Sequence, residues 1–151
     1  MADIIYYVNE ELGTVVAKMP TFEDDFYREI TAFCKKQFEF KGALLATGFS
    51  SYFHRKTFEL LHGKYESALV NLCGKAHCNY EHGETFDEVK GKELAKQRLM
   101  VKVFSLRRNI FNDLLFAIDE DIVEPIQGRG LHYINHLFMY IDNLDSLEAA
   151  Y

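Results

Sequence analysis

The stretch from Phe86 to Ile118 constrains the fold more than any other part of the chain. It contains no proline and a single glycine, Gly91, near its start. When the sequence is turned by about 100° per residue, apolar side chains form one continuous stripe, with a second apolar stripe beside it. The stretch is therefore predicted to be a single helix of about 50 Å that other elements must cover. The first stripe consists of Ala95, Leu99, Val103, Leu106, Ile110, Leu114 and Ala117.

The N-terminal part of the chain predicts a hairpin followed by a helix. Two β-prone runs, residues 4–8 and 14–19, are separated by five residues that end in Gly13, which is typical of a hairpin. Pro20 ends the second run. Apolar residues then recur every three or four positions, so residues 22–38 are predicted to form a helix.

The middle of the chain predicts a second helix and a third strand. A serine, Ser50 or Ser51, can cap a helix that continues to about Leu61, while the residues just before it are too short a run to assign. Residues 66–79 alternate in part between apolar and polar side chains. This alternation predicts a strand, with a bend where Gly74 interrupts it.

The remaining signals complete an α+β fold. Thr85 and Glu88 form a capping box that starts the long helix, and residues 131–147 have the apolar spacing of a last helix. We expect a single domain over residues 1–151. In it, a small antiparallel sheet, made of the N-terminal hairpin and the third strand, packs against about four helices, the longest near residues 86–118.

Composition is that of a globular protein without disulfide bonds. Apolar residues make up 48% of the chain and charged residues 26%, which argues against disorder. Three cysteines without framework spacing predict free thiols in a reducing cytoplasm, with Cys34 packed in the core. The N-terminus lacks the basic and apolar regions of a signal peptide, and no apolar run has the length of a membrane span. A cytoplasmic protein is therefore expected.

The net charge of −6 is unevenly distributed along the chain. Residues 87–108 have a net charge of +4, whereas residues 109–151 have a net charge of −7. Two interpretations are open. The acidic part can lie against the basic part within one molecule, or the two parts can present faces of opposite sign to a partner.

Four residues of the types that bind zinc lie close together in the sequence: Cys73, His77, Cys78 and His82. In a strand, Cys73 and Cys78 are an odd number of residues apart and point to opposite faces. Cys73 and His77 share a face but lie about 13 Å apart at roughly 3.3 Å per residue, which is too far to share one ion. No metal is expected unless the chain turns tightly at Gly74.

Other chemical motifs are weak or absent. His132 and His136 lie one helical turn apart, but no carboxylate completes a helical metal motif. The Gly-Arg-Gly of residues 128–130 could hold a phosphate at the next helix start, although a turn between helices needs no ligand. No nucleotide-binding loop and no nucleophile motif is present. We therefore expect a protein without a cofactor and without enzymatic activity.

A basic segment in the first part of the long helix is the candidate nucleic-acid-binding site. At about 100° per residue its cations point all around the helix and form no single stripe. The acidity of the whole chain also opposes binding to a phosphate backbone. Nucleic-acid binding is therefore an alternative expectation. The residues that would carry it are Lys92, Lys96, Arg98, Lys102, Arg107 and Arg108.

The last helix has a candidate docking face for a protein partner. Tyr133, His136 and Tyr140 lie beside its apolar stripe rather than within it. Asp142 and Asp145 follow with no compensating base. Aromatic side chains anchor many protein interfaces, and carboxylates at the rim steer a basic partner. The pattern predicts a partner protein with a basic surface, and the open alternative is that the tyrosines cover the protein's own core.

One segment resembles a group of known proteins. Residues 74–78 have the pattern G-x-A-x-C, and residues 86–98 have the pattern F-D-x-x-x-G-x-x-L-A-x-x-R. This strand-to-helix element resembles one in small uncharacterised proteins of bacteriophages and prophages of Gram-positive hosts. The resemblance implies a phage or mobile-element origin, and it implies no activity and no site residues.

Small phage proteins without enzyme motifs often act by binding a host protein, and this association sets the leading expectation. We expect a non-enzymatic protein that binds and modulates a host protein, as an inhibitor of a defence complex such as a CRISPR effector does. One alternative is a nucleic-acid-binding accessory protein that uses the basic start of the long helix. The other is a structural protein that self-associates through its aromatic-rich C-terminal helix.

Overall fold

A small antiparallel sheet and five helices make up the part of the chain that the structure describes. The structure is a computed structural model, and it describes residues 3–38, 43–118, 120 and 131–151. The strands are β1 (Ile5–Asn9), β2 (Thr14–Lys18) and β3 (Cys73–His77). The helices are α1 (Phe22–Phe38), α2 (Ala43–Leu61), α3 (Glu66–Val70), α4 (Glu88–Ile118) and α5 (Leu131–Ala149). The predicted α+β class is confirmed, and the longest helix, α4, lies where it was predicted, near residues 86–118.

The sheet has the strand order β1-β2-β3, and both neighbouring pairs are antiparallel. The predicted hairpin is confirmed, with Ile5 opposite Lys18 at its open end. Its turn ends at Gly13, whose φ of +66° is rarely adopted by residues that carry a side chain. β3 pairs with the other side of β2, so that Thr14 lies opposite His77.

The start of α4 crosses one face of the sheet at very short range. At Gly74 of β3, an added Cβ would lie 1.9 Å from the carbonyl oxygen of Ala95 and 2.5 Å from the nitrogen of Leu99. Only glycine fits there, because both obstacles are backbone atoms. A second close approach occurs at Gly91, where an added Cβ would lie 2.7 Å from a methyl group of Val15. We name the face of the sheet that α4 covers the inner face.

The later turns of α4 form the centre of the helical core. α1 packs on it, with the ring centroid of Phe26 lying 5.2 Å from that of Phe111. The segment from α5 to the C-terminus runs antiparallel to α4, because Tyr140 lies beside Phe111 and Tyr151 lies beside Phe104. The predicted burial of the long helix is confirmed. Five residues of its first apolar stripe are each at most 5% exposed, namely Leu99, Val103, Leu106, Ile110 and Leu114.

The strand predicted over residues 66–79 is wrong in its first half. Glu66–Val70 form the short helix α3, and only Cys73–His77 form a strand. The segment also fits one helical turn, which packs Leu69 against the core and leaves Val70 78% exposed. A short apolar run does not distinguish a strand from a helical turn by its period alone.

Two helix starts also differ from the prediction. α2 begins at Ala43, earlier than the serines that were expected to cap it. α4 begins at Glu88, and the backbone nitrogen of Lys90 donates a hydrogen bond of 3.1 Å to Asp87 Oδ1. Asp87 is therefore the N-cap instead of Thr85, because an aspartate next to the helix accepts this hydrogen bond directly. The first and last helices agree with their predicted bounds to within two residues.

Candidate functional site

The structure places a tyrosine of the predicted α5 docking face against the core. The ring centroid of Tyr140 lies 4.5 Å from that of Phe111 and 5.7 Å from that of Phe33, and the side chain is half-buried. Tyr140 therefore helps to hold α5 against α1 and α4. The side chains of Tyr133 and His136 lie outside the described part of the chain.

The acidic residues near the end of α5 face a cation of the same chain. The guanidinium of Arg108 on α4 lies 3.3 Å from Asp145 Oδ1 and also pairs with Glu148. For Asp145, the prediction that no base compensates the acids is therefore wrong. Asp142 is exposed. For this part of the molecule, the intramolecular interpretation of the charge asymmetry holds.

The basic segment of α4 is partly neutralised in the same way. Lys92 pairs with Glu88 at 3.2 Å, and Arg107 Nε lies 3.3 Å from a carboxylate oxygen of Glu29. Burial raises the pKa of Glu29, and the charge of Arg107 opposes that shift. With Arg108 also paired, half of the predicted nucleic-acid-binding residues form ion pairs with carboxylates of the same chain. In the described part of the chain, no carboxylate lies within 4.0 Å of the cationic groups of Lys96, Arg98 or Lys102.

The cysteines and histidines are the remaining candidates for metal binding or catalysis. The described residues contain no group of three or more His, Cys, Asp or Glu side chains placed to hold a metal ion. All three cysteines are free. Burial raises the pKa of Cys34 to about 12, and desolvation followed by the charge of Glu84 raises the pKa of Cys78, so neither is an activated thiolate at neutral pH. Residues 128–130 and the side chain of His132 lie outside the described part.

The side of the sheet opposite α4 carries no packed helix in the described structure, since β2 and β3 pack on α4 and β1 packs mainly on β2. Side chains alternate between the two faces along each strand, so every second residue points to this outer side. Two of the large apolar side chains on this side are well exposed, Tyr7 at 57% and Ile5 at 43%. We name this surface the open face. It consists of Ile5, Tyr7, Asn9, Thr14, Val16, Lys18, Cys73, Lys75 and His77.

The open face has a charge opposite to that of the whole chain. Its residues include Lys18, Lys75 and His77 but no Asp or Glu, whereas the net charge of the chain is −6. In the described ranges, no carboxylate lies within 4.0 Å of either lysine. The ammonium of Lys18 lies 5.8 Å from the ring centroid of Tyr7, close enough for a cation–π contact. The face therefore combines aromatic, apolar and cationic side chains.

A groove of about 490 Å³ lies at the end of the open face where β1 begins. Ile5 and Lys18 line it from the sheet, and Val70 lines it from α3. At its rim, His62 Nε2 lies 2.9 Å from Glu23 Oε1. The groove thus places a depression of mixed lining next to the cationic surface, with apolar side chains such as Ile5 and Val70 and with the carboxylates of Glu23 and Glu66.

The edge of β3 is bound by α4. The backbone nitrogen of Cys78 donates a hydrogen bond of 2.6 Å to the carbonyl of Gly13, which fixes the hydrogen-bonding phase of the β2–β3 ladder. In that phase the carbonyl of Lys75 points away from β2. The guanidinium of Arg98 on α4 donates a hydrogen bond to this carbonyl, so one outward group in the middle of the β3 edge is bound by a side chain.

The edge of β1 has no such partner among the described residues. Tyr7 lies opposite Val16 and directs its backbone groups to β2, so Tyr6 and Val8 direct theirs outward. The strand Ile5–Asn9 is uncharged, and four of its five residues are exposed. Even Val8, whose side chain lies on the inner face, is 40% exposed, because α4 packs mainly under β2 and β3.

Sequence reasoning missed both the open face and the free edge. The signal is present, since positions 5, 7, 16, 18, 75 and 77 combine apolar and basic residues without an acid. It becomes meaningful only when the strand order is known and when Gly74 shows which face α4 covers.

Comparison of the chain with protein-family models, with curated proteins and with solved structures gave no match. None of the helices in the described ranges combines the length and the apolarity needed to cross a bilayer.

Proposed function

We propose that this chain is a non-enzymatic binding protein that recognises an acidic segment of a partner protein on its open face. The observation that carries the proposal is that Lys18, Lys75 and His77 share this face with the exposed Tyr7 and with no carboxylate. Exposed aromatic side chains anchor protein interfaces, and cations without a counter-charge attract an acidic partner. The adjacent groove can accept an apolar side chain of the same segment.

The sign of the partner differs from the one expected from sequence. A basic partner was expected because of the acids at the end of α5, but Arg108 pairs with Asp145 and Glu148. The cations of the open face have no such counter-charge among the described residues. An acidic partner therefore fits the surface better than a basic one.

A host protein is the partner that the sequence resemblance favours. The element over residues 74–98 resembles small phage and prophage proteins, and such proteins often act on host proteins. We propose inhibition of a bacterial defence complex, such as a CRISPR effector, as the consequence of binding. Expression of the chain should then restore the plating of a phage that the defence system targets. Plating that stays blocked with every defence system tested, although the chain is expressed, would contradict this part of the proposal.

Site-specific photocrosslinking tests the binding surface. A photoreactive residue replaces Tyr7 on the open face or, as the control, Val89, which is 76% exposed on α4. We expect a crosslink to a defined partner from position 7 and none from position 89. Equal crosslinking from both positions would contradict an interface on the open face.

Charge reversal measures the attraction to the partner. Lys75→Glu changes the open face, and Lys96→Glu makes the same charge change on α4. With the crosslinked partner at low salt, the association rate of Lys75→Glu should fall by about fivefold, while Lys96→Glu should change it less than about twofold. Equal effects of the two variants would assign the attraction to net charge instead of the open face.

Single-stranded nucleic acid is a second candidate, favoured by one observation. Tyr7 and Lys18 lie together on an uncovered sheet, an arrangement that can stack a base and bind a phosphate. A single well-exposed ring on this face and the net charge of −6 make it the weaker candidate. A salt titration with single-stranded and duplex oligonucleotides separates the two candidates. Single-strand binding that weakens with salt and is lost in Lys75→Glu would favour nucleic acid, and no binding at low salt would exclude it.

A further inference from the structure

We propose that two copies of this chain associate through their β1 edges and form one continuous six-stranded antiparallel sheet. The proposal concerns the edge of the sheet and does not depend on the function assigned to the open face. It uses the outward backbone groups of Tyr6 and Val8, which have no partner among the described residues. A row of unpaired N–H and C=O groups on an extended strand is a template for another strand.

β1 lacks the features that normally prevent edge association. Natural edge strands are blunted by lysines, prolines, bulges or a covering element. Ile5–Asn9 contains no charged residue and no proline, and all five residues pair with β2 in a regular register. At the opposite edge, in contrast, Arg98 binds the outward carbonyl of Lys75 in the middle of β3. The chain thus blocks the middle of one edge of its sheet and leaves the other as a regular template.

The hydrogen-bonding phase determines how two copies would pair. The outward backbone groups belong to the even-numbered residues, so a two-fold axis at Tyr6 pairs Tyr6 with its own copy and Ile4 with the copy's Val8. In this register, every outward N–H and C=O group of Ile4, Tyr6 and Val8 has a hydrogen-bond partner in the other copy. On the open face the register places Ile5 opposite the copy's Tyr7, an aliphatic–aromatic pair that forms twice. These two side chains are 43% and 57% exposed in the single chain.

The charges flanking β1 favour an antiparallel pairing of the two copies. The hairpin turn carries Glu10 and Glu11, and Lys18 lies at the opposite end of the sheet. Antiparallel pairing brings the acidic turn of one copy to the end that holds both Lys18 and Asp3 of the other, and places Asp3 opposite the copy's Asn9. Parallel pairing would bring two acidic turns together, which is unfavourable.

Association in this register would widen the open face. The open faces of the two copies would lie side by side across the axis, with Tyr7 and Lys18 of both copies on one surface. Self-association was an alternative expected from the aromatic residues of the C-terminal helix. Here the edge of β1 provides the contact, and α5 packs on α4 of its own chain.

Sedimentation over a range of protein concentrations tests the proposal. The mass should rise from 17.6 kDa toward twice that value as concentration increases. Val8→Pro removes an outward N–H but keeps the hydrogen bonds that Tyr7 and Asn9 make to β2, so the dissociation constant should rise by about tenfold or more. Val8→Thr keeps the N–H and the branched shape, and as the matched control it should dimerise like the unmodified chain.

The possible results distinguish pairing of two copies at the β1 edge from binding of another protein there. If circular dichroism shows that Val8→Pro does not fold, Val8→Lys replaces it, because an edge lysine opposes pairing without changing the backbone. A chain that stays monomeric at every concentration overturns the proposal, and so does a dimer that persists in the folded blocking variant. A monomer whose binding to another protein is lost in Val8→Pro also overturns it. Lys75→Glu should keep the dimer mass, so a failure of the open face is a separate result.

Discussion

The two edges of the sheet have the same backbone chemistry but opposite surroundings. β3 lies so close to α4 that only glycine fits at position 74, and Arg98 binds the outward carbonyl of Lys75. β1 is held mainly by its ladder with β2, and its outward groups have no partner in the described part of the chain. Contacts with α4 therefore fix the position of one edge, whereas the other edge is left free for the proposed association.

The largest effect on stability is expected where β3 meets α4. Gly74→Ala would place a Cβ 1.9 Å from the carbonyl oxygen of Ala95, so sheet and helix would have to separate. We expect the free energy of unfolding, measured by urea denaturation, to fall by about 3 kcal/mol.

Gly91→Ala is the matched control for this contact. Its added Cβ would meet only the side chain of Val15, and the better helix propensity of alanine offsets part of the strain. The free energy of unfolding should therefore change by less than about 1 kcal/mol. Equal losses in Gly74→Ala and Gly91→Ala would show that the backbone contact does not fix β3.

A smaller loss of folding stability is expected when the hydrogen bond between Arg98 and the β3 edge is removed. Arg98→Met keeps the apolar part of the side chain but removes the donor to the carbonyl of Lys75. Because the site is exposed, thermal or urea unfolding should show a loss of about 0.5–1 kcal/mol. Arg28→Met, at a side chain that is 80% exposed, is the control and should cost less than about 0.5 kcal/mol. A loss in the control as large as in Arg98→Met would refute a specific role for the edge contact.

The smallest loss of folding stability is expected from a substitution in β1. Tyr7→Thr removes a ring that is 57% exposed but keeps a residue that favours strands. In dilute protein, the free energy of unfolding should change by no more than about 0.5 kcal/mol. At high concentration the same variant should dissociate more readily, because it loses the pair with Ile5 of the second copy. A loss above about 1 kcal/mol in dilute protein would show that the open face contributes to the core.

The helical core could be predicted from sequence because its signals are local. The spacing of Leu99, Val103 and Ile110 defines a buried stripe wherever the helix lies, and the run after Pro20 defines α1 in the same way. The strand near residues 66–79 was only partly predictable, since its first half is too short to have a distinctive period.

The candidate site could not be predicted, because it depends on how distant segments meet. The sequence contains Arg108 and Asp145, but only the antiparallel packing of α5 on α4 brings them within 3.3 Å. In the same way, the basic character of the open face follows from the strand order and from the side that α4 covers. Neither is encoded in the local pattern of Lys18 or Lys75.

Amide hydrogen exchange along β1, measured at several protein concentrations, tests most directly whether its edge is paired only when two copies meet. The N–H groups of Tyr7 and Asn9 point into the β1–β2 ladder and should be protected at every concentration. The N–H groups of Tyr6 and Val8 should exchange rapidly in dilute protein and become protected as the concentration rises. Rapid exchange of Tyr6 and Val8 at all concentrations, or their protection in the dilute monomer, would contradict the account.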